Sequence, residues 1–293
     1  MNYLPTRSAI QHSRFFFSFF LLPVYVFALA GAGEVHLLRA LLVFLIWHLF
    51  IYPASNGYNS YFDKDEGSIA LLENPPPTDK SLYVFSLLLD LTGIILACFV
   101  SVEFVLAVFV YGLLSKAYSH PDIRLKKYPF ISFLIVFIFQ GAFVYWTSYA
   151  ALSEENIGAI WNIESLTAGL ICSCLIGASY PLTQVYQHQE DAKRGDKTLS
   201  IVLGVNGTFA FSAGLFVLAT VLMFFYWQQK ASLEFFWLFL VFIIPVLLVF
   251  LSWIMKLKAD KSQANFKNMS RMTLVSGTAM LLYFAVLLFW QHS

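Results

Sequence analysis

Tyr52-Pro53-Ala54-Ser55-Asn56-Gly57-Tyr58-Asn59-Ser60-Tyr61-Phe62-Asp63-Lys64-Asp65-Glu66-Gly67 closes one long apolar run of the chain, and Tyr180-Pro181-Leu182-Thr183-Gln184-Val185-Tyr186-Gln187-His188-Gln189-Glu190-Asp191-Ala192-Lys193-Arg194-Gly195 closes another. At a constant offset of 128, Tyr52/Tyr180, Pro53/Pro181, Tyr58/Tyr186, Asp63/Asp191 and Gly67/Gly195 are identical, while Asn56/Gln184 and Asn59/Gln187 match as amides. Ungapped matches of this kind, at corresponding helix ends four spans apart, read as an internal repeat. Four helices restore the same sidedness, so the two copies run parallel. The expected organisation is a single membrane domain with related four-helix units at 1–128 and 129–257 and a final helix in 258–293.

The rest of the chain has the composition of a protein dissolved in lipid. Of 293 residues, 59% are hydrophobic, 18% aromatic and only 12% charged, and mean hydropathy is +0.71. Soluble domains carry about twice that share of charge, and disordered chains are far less apolar. The net charge of +1 is too small for a nucleic-acid surface. A helix crossing the bilayer needs roughly 20 mostly apolar residues, and nine such runs are present, near 15–33, 36–54, 82–101, 103–118, 129–152, 164–186, 205–227, 234–257 and 272–290. Lipid forces every backbone polar group to be satisfied internally, and the runs are too long for barrel strands, so the fold class is an all-α integral membrane protein. The first run follows Arg7 and Arg14 but has no small-residue cleavage site, which marks a retained helix and not a signal peptide. Cys98, Cys172 and Cys174 lie inside apolar runs, with neither disulfide nor zinc spacing.

Sixteen of the 18 basic residues fall at the N-terminus or around the even-numbered connections, leaving only Arg39 and Lys230 for the other side. The positive-inside rule then puts the N-terminus and both quoted stretches in the cytoplasm and the C-terminus outside. The expected location is a bacterial cytoplasmic (inner) membrane.

The connections after the second and sixth runs are the longest, about 27 and 18 residues, and are dense in carboxylates. A carboxylate four residues after an amide at a helix end puts both side chains on one face and offers hard oxygen ligands. Asn59 with Asp63, and Gln187 with Asp191, make that pattern twice. Around them stand Asp65, Glu66, Glu190 and Asp196, interleaved with Lys64, Lys193, Arg194 and Lys197. Acids alone repel a phosphate, whereas acids with basic neighbours suit a metal diphosphate, and Mg²⁺ prefers one or two carboxylates plus substrate phosphates. The competing reading is a solvated loop whose charges keep it wet; the repeated placement favours a site.

Asn59 to Asp65 resembles the first Asp-rich motif of the UbiA-type intramembrane prenyltransferases, Asn-Asp-x-x-Asp-x-x-x-Asp. Gln187 to Asp191, followed by Gly195-Asp196-Lys197-Thr198-Leu199 and Leu203-Gly204, resembles their second motif, and Tyr118-Ser119-His120-Pro121 with Arg124-Leu125-Lys126 is similar to their basic loop after the fourth helix. The resemblance implies nine helices around a central cavity open to lipid, in which a prenyl group passes from an isoprenyl diphosphate, with Mg²⁺ assistance, to a lipophilic, often aromatic acceptor. It implies catalytic roles for Asp63 and Asp191. Metal ligation would fall to Asn59, Asp63, Asp65, Glu66, Glu190, Asp191 and Asp196, and substrate contacts to Asn59, Lys64, Tyr118, Arg124, Lys126, Gln187, Lys193, Arg194 and Lys197. A dry, aromatic chamber would protect an allylic cation from water.

The chain departs from the pattern at Ser60, Gly67 and Gln187, where the family usually has Asp, and at Asn74, where it usually has a basic residue. A non-catalytic isoprenoid-binding or scaffold descendant of the fold would explain those losses. A secondary transporter would place its key polar groups near the midplane, whereas here they gather at one end. Three isolated residues stand apart: Asp90, about 12 Å into the third helix by helical rise, is costly there unless paired or hydrated; His188 lies inside the second motif; and His48 suits an interhelical hydrogen bond.

Overall fold

The computed structural model describes residues 5–64, 67–70, 72–154 and 157–291. Among them eight helices are each long and apolar enough to cross a membrane: Leu37–Asp63, Lys80–Ala97, Val102–Ser119, Pro129–Leu152, Ile163–Arg194, Leu199–Gln229, Leu233–Ala259 and Phe266–Trp290. The pair Arg7–Phe20 and Leu22–Gly31, bent by 45°, is together long and apolar enough for one further, broken span; with it as the first, Leu37–Asp63 is the second and Phe266–Trp290 the ninth. The protein is an integral membrane protein. The only extended pairing among the described residues is an isolated bridge between Ile69 and Leu72.

Local chemistry sets the starts. Asp79, Ser101, Asn162 and Thr198 cap the third, fourth, sixth and seventh spans, each side chain accepting from an N–H two or three residues on, as helix N-termini require. Asp79 also accepts from the Thr6 hydroxyl at 2.8 Å, tying the first helix to the third span. The Ser81 hydroxyl, ahead of the other donors, holds the Asp79 carboxyl below its ordinary pKa. The first span changes direction where Arg14 takes a left-handed backbone (φ +45°) and again before Pro23. Wider π-helical turns occur at Ile46–Ile51, just ahead of Tyr52-Pro53, and at Val136–Phe143; the former absorbs the proline's missing N–H and ring.

Consecutive spans pack on one another, and the ninth returns to the first, closing a ring. The fifth and sixth spans approach so closely that a Cβ on Gly141 would lie 2.4 Å from the Ser173 Cα; the Ser173 hydroxyl accepts from the Ala142 N–H at 2.9 Å. Trp47, Tyr145, Tyr226, Tyr283 and Phe27 are fully buried between spans. Trp227 Nε1 donates to the Tyr283 hydroxyl at 2.7 Å, which donates to the Phe235 carbonyl at 3.2 Å, joining the seventh, ninth and eighth spans. Leu87, Leu88, Leu91 and Ile95 of the third span stand exposed, facing the hydrocarbon that takes the place of water around such a bundle.

The helices run further than the hydropathy does. The second and sixth spans continue through Asp63 and Arg194, so the connections anticipated as loops of about 27 and 18 residues are confined to 64–79 and 195–198. Polar side chains can sit in those last turns because they face a cavity and each other instead of lipid.

At the end of the ring opposite the motifs, Arg39 donates to the Val100 carbonyl at 3.2 Å and to the Ala151 carbonyl, and Lys230 pairs with Glu164. Asp90 forms an ion pair with Lys116 of the fourth span, so its place in the third helix is explained by pairing. His48 Nδ1 lies 3.1 Å from the Ser18 carbonyl, the interhelical bond expected of it.

Candidate functional site

A cavity of about 240 Å³ opens where the second and sixth spans end. From the second span, Ser55, Asn56, Asn59 and Asp63 line it; the sixth contributes Tyr180, Thr183, Gln184, Gln187 and Asp191. Both sets follow the three-to-four-residue spacing of one helix face. The fourth span adds Tyr111, Ser115, Tyr118 and Ser119, and the fifth adds Val136, Phe139 and Gln140. Asp63 and Asp191, 128 residues apart, thus reach the same space. Tyr118 lines the same space, its hydroxyl 2.6 Å from that of Tyr180, which stands 128 residues after Tyr52.

The charges at the mouth are paired. Lys126 Nζ forms an ion pair with Asp63 and lies 3.9 Å from Asp196 Oδ2. Arg124 binds Asp196 as a fork, Nε to Oδ1 at 2.9 Å and Nη2 to Oδ2 at 2.8 Å. Arg194 pairs with Glu190 one turn earlier, and Glu190 also accepts from the Gly67 N–H at 3.4 Å. The amides hold position through neighbours: Asn59 Nδ2 donates to the Ser119 hydroxyl at 2.7 Å, and Gln187 Nε2 to the Ser68 carbonyl at 3.2 Å. Through the contacts of Gly67 with Glu190 and of Gln187 with Ser68 the segment after the first motif is fastened to the helix of the second, and its Ile69 and Ala70 close part of the cavity.

Of the residues singled out in the sequence, Asn59, Asp63, Tyr118, Lys126, Gln187, Asp191, Arg194 and Asp196 line the cavity. Arg124 and Glu190 stand behind them through the ion pairs just described. Lys64, Lys193 and Lys197 are exposed. Asp65 and Glu66 lie outside the described residues. Among those described, no group of three or more His, Cys, Asp or Glu side chains is arranged to hold a metal alone. His188 Nε2 meets the Ser200 hydroxyl at 2.7 Å, and Ser200 meets Thr208 at 3.0 Å, joining the second motif to the start of the seventh span. There Gly204 (φ +66°, ψ 172°) breaks the helix in a region that only glycine enters without strain.

Motif reasoning passed over Arg14, Ser55, Tyr111, Ser115 and Gln140. Each is a polar group within or beside an apolar run, and Tyr111, Ser115 and Tyr118 recur at helical spacing, a signal that the sequence does carry. Behind this polar space lies a second, apolar chamber of about 120 Å³, whose walls include Phe20, Leu21, Val24, Phe216, Met280 and Phe284. The two share Phe17, Gln140, Tyr180 and Thr183.

A ring of apolar helices thus carries paired polar helix ends over an adjoining apolar chamber. The model of the UbiA prenyltransferase family matches residues 20–276, and the chain belongs to that family. Its fold is similar to that of a UbiA homologue from Archaeoglobus fulgidus bound to DMAPP and Mg²⁺ (16% identity, TM-score 0.69, covering 96% of this chain and 99% of that one). It is similar also to the apo UbiA homologue from Aeropyrum pernix K1 (16%, 0.68, 92% and 98%). A structure concerning digeranylgeranylglyceryl phosphate synthase in membranes aligns over 99% of this chain and 100% of that one, at 20% identity and a TM-score of 0.65. No curated protein matches the chain.

Proposed function

We propose that the protein transfers a prenyl group from an isoprenyl diphosphate to a lipophilic acceptor within the membrane. The observation that carries this reading is the convergence of Asn59 and Asp63 with Gln187 and Asp191 on one cavity that shares a wall with an apolar chamber. The two related four-helix units supply one half of the site each. A diphosphate at the mouth would meet Lys126, Arg194 and the Tyr118 hydroxyl, and the isoprenoid tail would extend past Phe17 and Tyr180 into the apolar chamber. The aspartates and amides suit Mg²⁺: two carboxylates and two amide oxygens are too few to cage it, but enough when a diphosphate completes the shell. When bound, the ion supplies the positive charge that a departing diphosphate needs.

This chain's own residues do the rest. Lys126 carries a charge able to bind the leaving group by a charge-assisted hydrogen bond. Phe17, Phe139 and Tyr111 present aromatic surface beside the place where an allylic cation forms, stabilising it and keeping water away. A scaffold or isoprenoid-binding role is the second reading, favoured by the ion pairs that already occupy Asp63 and Asp196.

The two readings separate in a diphosphate-release assay on purified protein with Mg²⁺ and prenyl diphosphates of one to ten isoprene units. The transferase reading expects metal-dependent release by the parent and a loss of about 100-fold or more in Asp63→Asn and in Asp191→Asn, as for removal of a group that stabilises developing charge. Parent and variants that all fail to release diphosphate while still binding the isoprenoid would establish the scaffold reading.

A further inference from the structure

Asp196 belongs to two pieces of structure at once. Its N–H donates to the Asp191 carbonyl at 3.0 Å, closing the second-motif helix at Gly195, whose φ of +76° a residue with a Cβ seldom adopts. Its carboxylate, 5% exposed, receives the Arg124 fork described above, so both oxygens face one guanidinium.

Arg124 is the pivot of the loop after the fourth span. It holds a left-handed backbone, φ +43° and ψ +58°, unfavourable for any residue but glycine and persistent only where surrounding contacts fix it. From that pivot the chain makes a single tight turn, Leu125–Lys127. The turn sends Lys126 into the cavity, while Lys127 lies against the ring of Tyr128, 5.0 Å from its centroid. Asp196 therefore grips the residue whose conformation aims Lys126, and it lies 3.9 Å from the ammonium itself.

We infer that Asp196 is a positioning residue for diphosphate recognition and not a metal ligand: it holds Arg124 so that Lys126 stands at the cavity mouth. This rests on the transferase reading given above. A carboxylate that gives one lone pair of each oxygen to a guanidinium, with an ammonium 3.9 Å from one of them, is a poorer ligand for Mg²⁺ than a carboxylate without such a fork. It also leaves Lys126 with a counter-ion when Asp63 turns to a metal. Asp196 thus couples the second motif to the basic loop across 72 residues of sequence.

The test uses the full-length protein, with Asp196→Asn, nearly isosteric but uncharged, and Asp196→Glu as the conservative variant. One readout does not involve catalysis. Tryptic cleavage after Lys126 and Lys127, which tracks how often the loop opens, should rise about tenfold or more in Asp196→Asn and stay near the parent rate in Asp196→Glu. The second readout is kinetic. In Asp196→Asn, KM for the prenyl diphosphate should rise about tenfold with kcat within about threefold, and the Mg²⁺ half-saturation at saturating diphosphate should stay within about twofold. Unchanged tryptic protection in Asp196→Asn overturns the clamp, and a raised Mg²⁺ requirement with constant KM makes Asp196 a ligand. A parent that is protected yet releases no diphosphate removes the transferase reading, and the positioning role with it, while the clamp survives as part of the fold.

Discussion

Lys126 stands between two carboxylates, and the cost of losing it should differ from the cost of losing either one. Its side chain is 12% exposed and that of Asp63 is 6% exposed, so the pair sits largely out of water. At an effective dielectric of about 20, two unit charges 3.9 Å apart, as Lys126 and Asp196 are, attract by about 4 kcal/mol before desolvation is counted. In Asp63→Asn the ammonium keeps that neighbour, and the amide oxygen still accepts a hydrogen bond; the expected loss of stability is about 1 kcal/mol. In Lys126→Gln, Asp63 loses the ammonium it pairs with beside a second carboxylate, Asp196, which keeps the Arg124 fork. Breaking a buried pair costs about 3–5 kcal/mol, and the lower end applies because the cavity admits water.

Thermal unfolding in a mild detergent measures the difference. For a chain of this size about 1 kcal/mol corresponds to about 2 °C in Tm, so Lys126→Gln should melt about 6 °C below the parent and Asp63→Asn about 2 °C below. The double variant should recover most of the loss, since neutralising both partners leaves no buried charge without its complement. An Asp63→Asn protein that melts as low as Lys126→Gln, or a double variant no better than the sum of the singles, would refute the bridging role of Lys126.

Gly141→Ala should destabilise the bundle by about 1–3 kcal/mol or more, because its methyl group meets Ser173 backbone atoms at 2.4 and 2.6 Å, which cannot rotate away as a side chain would; a detergent melt checks it, and an unchanged Tm would show that the fifth and sixth spans are less closely apposed. The basic asymmetry of the sequence predicts that the motif-bearing end faces the cytoplasm, so a cysteine introduced at exposed Lys193 should react with an impermeant maleimide only after the cells are opened.

Most of the architecture was legible because lipid makes fold class a matter of run length. The spans, their order and the sharing of one end by both motifs follow from where the apolar residues stop. The helix ends did not follow, because hydropathy reports the boundary of hydrocarbon while Asp63 and Arg194 remain helical beyond it, their polar side chains satisfied by Lys126 and Glu190. The cavity face was half legible. Asn59, Asp63, Gln187 and Asp191 share a four-residue spacing that the sequence displays, but Gln140, in an apolar run near exposed Ile138, shows its orientation only once the helices are packed. Least legible were the ion pairs. Nothing in the spacing of Arg124 and Asp196, or of Asp90 and Lys116, tells which carboxylate takes which cation, since that choice is made by loops and helices brought together from distant parts of the chain.

Those pairings bear on the residues by which the chain departs from its family's usual pattern. With Ser60, Gly67 and Gln187 in place of acids, Asp63 and Asp191 are, among the described residues, the carboxylates that the stretches 59–63 and 187–191 direct into the cavity, and Lys126 already stands against Asp63. On the proposed reading, a diphosphate arriving alone must draw Lys126 from Asp63, and a metal arriving alone must displace the same ammonium. For the two together, Asp63 would hold the metal and Lys126 the phosphate, two pairings in place of one. Arg124 and Asp196 would serve as the fixed frame for both. On that reading such a site would favour the metal diphosphate as a unit over either component, and the departures that weaken the metal site in isolation are compatible with a working transferase.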